Sequence, residues 1–379
     1  MPHLTHAITS LTLQNFRNYR SLSLTLGPEP VVLRGRNGAG KTNILEAISM
    51  LSPGRGLRSA KLSEMDCIGA GGAPWVVAAE LTARGEHCFI GTGRDGEATT
   101  EKRIIKINGA RVKSHAQLAA HTCIQWLTPS MDQVFIEGGT ARRKFFDRLV
   151  YGFTPEHAAR VTAYEGAMRE RNKLLGDGRA HADPYWLSVL EQQMAEHAVA
   201  ITLARLEMLD RLRVELMQDI AGFPRAELQL QGAIERWLVE EGLSALEIEQ
   251  KFAERLMSLR GVDAARGRAS EGPQRSEWIV IHSFKQMEAE NCSTGEQKAL
   301  ILSILLASAR ARANWCGVAP ILLLDEVIAH LDVDKRACLF DLIRQCRIQA
   351  WMTGTDAADF KGLEGISTQL EIDGGMVKM

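Results

Sequence analysis

Along residues 8–26, ITSLTLQNFRNYRSLSLTL, apolar and polar positions alternate on either side of a central turn. A period of two sends every second side chain to one face, so this stretch predicts two strands of a hairpin. The continuous apolar run PVVLRG predicts a buried strand, and KTNILEAISML, with apolar residues three and four apart, a helix after it. From Trp75 to Lys113 short alternating segments recur: WVVAAELTA, HCFIGTG and RIIKINGARVKS. The last has Asn108-Gly109 at its centre, a pair suited to a two-residue hairpin turn because both positions need a positive φ. CIQWLTP reads as one more strand.

After RRKFFDRLVYG the period changes from two to that of a helix. Residues 155–221 are expected to be mostly helical, in two long segments separated by GDGRAHADP, whose glycines and proline break a helix. Two such helices predict an αα-hairpin. RAELQLQG then reads as a strand, SALEIEQKFAERLMSLRG as an amphipathic helix, GVDAARGRASEGPQRSE as a polar loop and WIVIHSF as a strand. The final third returns to alternating helix and strand: helix 294–313, strand ILLLD, helix DKRACLFDLIRQC, strand QAWMTGT. The pattern predicts an α/β domain in two pieces, 1–152 and 277–379, split by a mainly helical arm at 153–276.

Composition narrows the class without changing that outline. The chain has 379 residues, 45% apolar and 24% charged, with a formal net charge of −1, so a nucleic-acid surface would have to be a local patch. The longest apolar runs, ALILSILLASA and VAPILLLD, are too short to span a bilayer, and MPHLTHAITSLTLQNF lacks the pattern of a secretory leader. Seven scattered cysteines contain no C-x-x-C pair and the ten histidines no ligand-spaced set, which argues for a reducing, cytoplasmic setting and against zinc.

Three stretches carry chemistry. GRNGAGKT, from Gly35 through Arg36, Asn37, Gly38, Ala39, Gly40 and Lys41 to Thr42, fits G-x-x-x-x-G-K-[ST] between a predicted strand and a predicted helix. Its glycines let successive N–H groups face phosphate oxygens, Lys41 supplies a compact charge to the β- and γ-phosphates, and Thr42 offers a hydroxyl to Mg²⁺. ILLLDEVIAHLD places Asp325 and Glu326 at the carboxyl end of an apolar strand, where α/β sheets bind ligands. Asp325 would serve Mg²⁺ and Glu326 would orient and deprotonate an attacking water. The third stretch, Ser293-Thr294-Gly295-Glu296-Gln297, precedes a long apolar helix. Small hydroxyl residues and a glycine there are either a helix cap or a grip for phosphate, because the two use the same geometry.

The phosphate loop, the late S-x-G-x-Q and the acidic strand ending in LD together resemble the ABC-type ATPases. LQNFRNYRSLSL, GRGLRS, GGTARRKFFDRLVYG, GPQR and STGEQK, in this order over nearly the whole chain, narrow the resemblance to the RecF family, related to SMC heads. It implies an ABC-type head, with a P-loop sheet, flanking helices and an antiparallel β lobe, split by the helical arm. It also implies ATP and Mg²⁺ as cofactors, slow hydrolysis, and ATP-dependent homodimers on DNA. Ser293, Gly295 and their neighbours would meet the nucleotide of a second copy, and Asp332 would lie in the adjoining D-loop. The implied partners are RecR and, indirectly, RecO and RecA, in gap repair. A transporter subunit or a structural chromosome ATPase is the alternative. Two departures stand out: the family's G-P-H-R reads Gly272-Pro273-Gln274-Arg275, and MTGTD has no histidine where transporters carry one.

Two basic clusters are candidates for DNA phosphates. One is Lys102, Arg103, Lys106, Arg111 and Lys113 on the predicted Asn108-Gly109 hairpin; the other is Arg55, Arg58 and Lys61. Arg142 and Arg143 suit either nucleotide or inter-lobe contacts.

Overall fold

The computed structural model describes residues 6–96, 101–176, 183–218, 220 and 222–378. Residues 177–182, most of the predicted helix-breaking connection, and the first five of the N-terminal stretch lie outside the described residues. In chain order the elements are β1 (His6–Phe16), β2 (Tyr19–Thr25), β3 (Val31–Arg34), α1 (Lys41–Ser49), β4 (Val76–Ala83), β5 (Glu86–Arg94), β6 (Arg103–Ile107), β7 (Ala110–Arg111) and β8 (Ile124–Leu127). There follow α2 (Gly139–Tyr151), α3 (Glu156–Gly176), α4 (Pro184–Met217), β9 (Ala226–Gln231), α5 (Ala233–Val239), α6 (Ala245–Ser258), α7 (Arg260–Arg266), β10 (Glu277–His282) and β11 (Met287–Glu288). The chain ends with α8 (Thr294–Cys316), β12 (Ile321–Leu324), α9 (Val333–Gln345), β13 (Ala350–Gly354), β14 (Thr368–Asp373) and β15 (Met376–Lys378).

Contacts divide these into two compact units. The first comprises Met1–Asp132, Gln218–Pro224 and Ile301–Met379; the second comprises Gln133–Met217 and Arg225–Leu300. The first unit holds two sheets. One, in the order β2-β1-β4-β5-β6-β7, is antiparallel, as the alternating sequence predicts. Its buried positions, among them Leu11, Leu13, Leu22, Leu24 and Val77, belong to one core with Leu33, Ile44, Ile48, Leu323 and Trp351. Asn108 and Gly109 turn β6 into β7 with positive φ at both residues, and Lys106 pairs with Arg111 across the turn.

The other sheet runs β15-β14-β3-β13-β12-β8, with β14, β3, β13, β12 and β8 parallel. Every residue of β8, β12 and β13 is buried, and these strands read as apolar runs interrupted only by Gln125 and Thr353. β14 and β15 were not anticipated; Gly374 and Gly375, both at positive φ, turn one into the other.

In the second unit α3 and α4 pack together, burying Tyr164, Ala167, Leu190, Met194 and Ala198 in a core shared with Trp237, Ile248 and Phe252. Glu170 late in α3 accepts from Trp186 early in α4, and Arg171 reaches Glu191, the pairing expected of a helical hairpin. The predicted loop at 261–277 is helical at its start. Asp263 is buried there, accepting from Arg171 at 2.8 Å and from the N–H and hydroxyl of Ser270 at 2.9 and 2.6 Å. That ion pair makes a polar segment part of the core, as α7.

The unit boundaries fall at 132/133 and 300/301, where the sequence reading drew 152/153 and 276/277. Aromatic packing explains the shift. Trp278 of β10 stacks on Phe145 and Phe146 of α2 with ring centroids 5.7 and 5.1 Å apart, so both elements group with the helices.

Candidate nucleotide site

The loop between β3 and α1 is shaped by three glycines at φ 153, 80 and 114, at positions 35, 38 and 40. Two of them also sit too close to neighbours for a side chain. A Cβ on Gly35 would lie 2.2 Å from the Ile372 carbonyl oxygen, and one on Gly40 2.3 Å from Asn18 Nδ2. Asn18 donates to the Ala39 carbonyl at 3.2 Å and Tyr19 to the Gly40 carbonyl at 3.1 Å, while Asn43 donates to Asn18 Oδ1 at 2.8 Å. The turn between β1 and β2 therefore clamps the loop from the side. Arg17 of the same turn donates two bonds to Glu46 of α1, at 2.9 and 2.7 Å. Sequence reading did not assign these roles to the NFRNYR block; the runs of polar residues at a turn are their only trace.

Arg36, Asn37 and Gly38 are exposed, whereas Ala39, Gly40 and Lys41 are buried and Thr42 is half-buried. Lys41 Nζ donates to the Gly35 and Arg36 carbonyls at 2.7 and 2.9 Å. Desolvation lowers its pKa, against the opposing pull of Glu326 and Asp325.

β13 lies between β3 and β12 in the sheet, so the carboxyl ends of β3 and β12 flank its end. Thr42 Oγ1 donates to Asp325 Oδ1 at 2.9 Å, joining the phosphate loop to the acidic strand. Thr353 of β13 completes the arrangement. Its hydroxyl donates to Asp325 Oδ1 at 2.8 Å and accepts from the Glu326 N–H at 2.8 Å. Burial pushes the Asp325 carboxyl up, with the Thr353 and Thr42 hydrogen bonds opposing it. Glu326 stands at φ 54, a conformation that non-glycine residues rarely adopt without a local reason. Thr353 is not among the residues expected from the sequence; its place at the end of a buried strand is its only signal there.

Thr42 and Asp325 are adjacent hard oxygen donors of the kind Mg²⁺ takes, and they would hold the ion beside the phosphates. Beside the loop is an open hollow of about 610 Å³, lined by Arg17, Asn18, Arg20, Asn43, Ile68 and Gly374 among others.

Ser293 stands immediately before α8, and Glu296 of the first helical turn reaches back to it. Its N–H and hydroxyl both donate to Glu296 Oε2, at 3.0 and 2.8 Å. Thr294 opens the helix, and a Cβ on Gly295 would meet nothing within 4 Å, so the backbone there is open. Gln297 departs from the expected role. Its amide is buried and donates to the Glu290 and Cys292 carbonyls at 3.3 and 3.1 Å, holding the preceding loop and not facing outward. Asp332 caps α9 by accepting from the Lys335 N–H at 2.8 Å.

The chain matches the model of the RecF/RecN/SMC N-terminal domain over residues 7–367. It is 45% identical over 374 residues to the DNA replication and repair protein RecF of Allorhizobium ampelinum, covering 98% of each chain. The protein of the same description from Rhizobium meliloti is 43% identical over 379 residues, covering all of both. This chain belongs to the RecF family. At the level of fold, a solved structure of the recombination mediator protein RecF-ATPrS in the RecFOR pathway matches with a TM-score of 0.82 and 22% identity, covering 100% and 99% of the two chains. An SMC head bound to the C-winged helix domain of ScpA matches at a TM-score of 0.56 and 15% identity, covering 98% and 96%.

In the R-R-x-F-x-D block the charged side chains are engaged within the second unit. Arg142 donates to Glu277 and the Phe135 carbonyl at 2.9 and 2.8 Å, and Arg143 donates to the Ser276 carbonyl at 2.9 Å. Asp147 accepts two bonds from Arg205, both 2.8 Å, and one contact of 2.8 Å from His157. Gln274, in the place of the expected histidine, accepts from the Tyr164 hydroxyl and donates to the Glu271 carbonyl.

The basic clusters separate on inspection. Lys102, Lys106, Arg111, Lys113, Arg55 and Lys61 are exposed. Arg103 is not available to DNA, which corrects its assignment. Its guanidinium donates to Thr92 Oγ1 and the Gly54 carbonyl, both at 2.8 Å, and to the Met50 carbonyl. Desolvation lowers its pKa to about 10. Arg58 spends one nitrogen on Asn43 and Glu46, at 2.9 and 2.8 Å, so part of it braces α1. Among the described residues no helix is long and apolar enough to cross a membrane.

Proposed function

We propose that this chain is an ATP-dependent DNA-binding protein of replication and repair, in which bound ATP joins two copies around DNA and is hydrolysed slowly. The observation that carries the reading is the Thr42–Asp325 hydrogen bond, with Thr353 linking Asp325 to the Glu326 backbone. It brings the phosphate loop, Asp325 and Glu326 together at the carboxyl ends of neighbouring parallel strands. Mg²⁺, when bound, would neutralise charge on the phosphates. The loop N–H groups and Lys41 would hold the β- and γ-phosphates, and the hollow bounded by Arg17, Asn18 and Gly374 would take the nucleoside. Glu326 would accept the proton of the attacking water.

Ser293 and the open N–H of Gly295 would close on the γ-phosphate held by a second copy, giving a two-fold dimer with two nucleotides. ATP then acts mainly as a clamp. The exposed lysines and arginines of β6, β7 and their flanks would meet the DNA backbone with little sequence preference. Family membership extends the proposal to gap repair, with RecR and, through it, RecO and RecA as partners.

The test uses Glu326→Gln and a fluorescently labelled gapped duplex. The variant should bind ATP yet hydrolyse it at least about 100-fold more slowly, as expected for loss of a general base. Anisotropy with ATP should show tighter DNA binding than without, and the gain should fall steeply with salt. Equal DNA affinity with and without ATP, in protein shown to hold the nucleotide, would reject the clamp.

A further inference from the structure

A charge pair beside Ser293 has no role in the reading above. The turn between β10 and β11 brings Lys285 onto Glu296, and Nζ pairs with Oε1. The other carboxylate oxygen receives both donors of Ser293. A serine hydroxyl has one proton, and here Glu296 holds it. To donate to a phosphate, Ser293 has to leave Glu296.

The turn carrying Lys285 is well defined. The N–H groups of Lys285 and Gln286 donate to the His282 carbonyl at 3.1 and 2.8 Å, and Gln286 stands at φ 49. The Gln286 amide donates to the Ser283 carbonyl at 2.7 Å and to Glu227 of β9 at 3.0 Å. Lys285 therefore reaches Glu296 from a fixed strand end.

Glu296 also poses an electrostatic problem. Its carboxylate lies one turn from Ser293 and next to Gly295, where a γ-phosphate would sit, and like charges at that range repel. The paired ammonium cancels that charge. It also draws electron density from the carboxylate, which weakens the hold of Oε2 on the hydroxyl.

We propose that Lys285 is a positioning residue of the nucleotide-dependent interface: it neutralises Glu296 so that Ser293 can pass its hydrogen bond from Glu296 to the γ-phosphate held by a second copy of the chain. The proposal rests on the reading that Ser293 acts across a dimer.

The experiment measures ATP-driven dimerisation by sedimentation equilibrium at low and high salt, in full-length Glu326→Gln protein. Further substitutions are Lys285→Gln, Lys285→Arg, Glu296→Gln and the pair Lys285→Gln/Glu296→Gln. ATP affinity of each monomer is measured separately with a fluorescent nucleotide analogue. Lys285→Gln should weaken dimerisation at least about tenfold at low salt and less at high salt, with monomer affinity for ATP unchanged. Lys285→Arg should dimerise normally. The double variant should return to within roughly threefold of the parent, because removing the carboxylate removes the need for its counter-charge. A double variant as weak as Lys285→Gln, or a defect that salt does not alter, would make Lys285 a prop for the turn and overturn the proposal. Failure of the parent to dimerise with ATP would instead reject the cross-dimer reading, and this inference with it.

Discussion

Removing the Arg103 side chain would leave the Met50 and Gly54 carbonyls and the Thr92 hydroxyl without their donor. Orphaning part-buried acceptors costs more than the hydrogen bonds themselves contribute, so Arg103→Ala should lower unfolding free energy by about 2–4 kcal/mol. Urea denaturation reads this directly. Lys102→Glu with Lys106→Glu should behave oppositely, leaving the urea midpoint in place while weakening DNA binding and flattening its salt dependence. An Arg103→Ala protein as stable as the parent but defective on DNA would return that arginine to the DNA surface. At the same scale, Thr353 and Glu326 show that a single threonine can set both a carboxylate and the next residue's backbone.

Among elements, Asp147 joins α2 to α3 through His157 and to α4 through Arg205. Burial alone would raise its pKa; Arg205 and His157 overcome burial and hold the carboxyl well below the usual range. A depressed carboxylate contributes stability that is complete above its unfolded pKa, about 3.9, and is lost as pH falls toward the folded value. Arg205→Met removes the main counter-charge and strands a buried carboxylate. It should cost about 3–5 kcal/mol near neutral pH. Its acid-unfolding midpoint, followed by circular dichroism, should move to higher pH. An unchanged midpoint would mean that His157 alone keeps Asp147 ionised. The start of α8 poses a different question. Glu296 reaches back from the first turn of α8 to take both the N–H and the hydroxyl of Ser293, and the surface at Gly295 is open.

For the whole molecule, the proposed ATP dimer predicts separable defects. Ser293→Arg should abolish ATP-driven dimerisation in analytical ultracentrifugation while leaving nucleotide binding by the monomer intact. The bulky cation would occupy the surface that meets the second copy, whereas the phosphate loop lies in the other compact unit. Dimers that persist with ATP would contradict the arrangement of two nucleotides between two copies.

The alternating and helical periods determined most elements directly, since period two and period 3.6 are properties of local geometry. GRNGAGKT was equally legible, because its spacing of glycines, lysine and threonine is a local pattern, although Gly35, Gly40 and Thr42 also meet distant residues in Ile372, Asn18 and Asp325. Ser293 through Glu296 could be located, but not assigned between cap and phosphate grip, because those uses share a backbone. The tertiary structure decided whatever depended on distant neighbours. Arg103 and Lys102 are adjacent cations in the sequence, yet one faces three acceptors and the other faces solvent. α7 forms where a loop was expected because Arg171, far back in the chain, draws Asp263 into the core. β14 finds its place by pairing in parallel with β3, a partner over 300 residues away, and Thr353 meets Asp325 only because β13 lies beside β12. Such contacts leave no period in the sequence; they arise when the sheet is assembled.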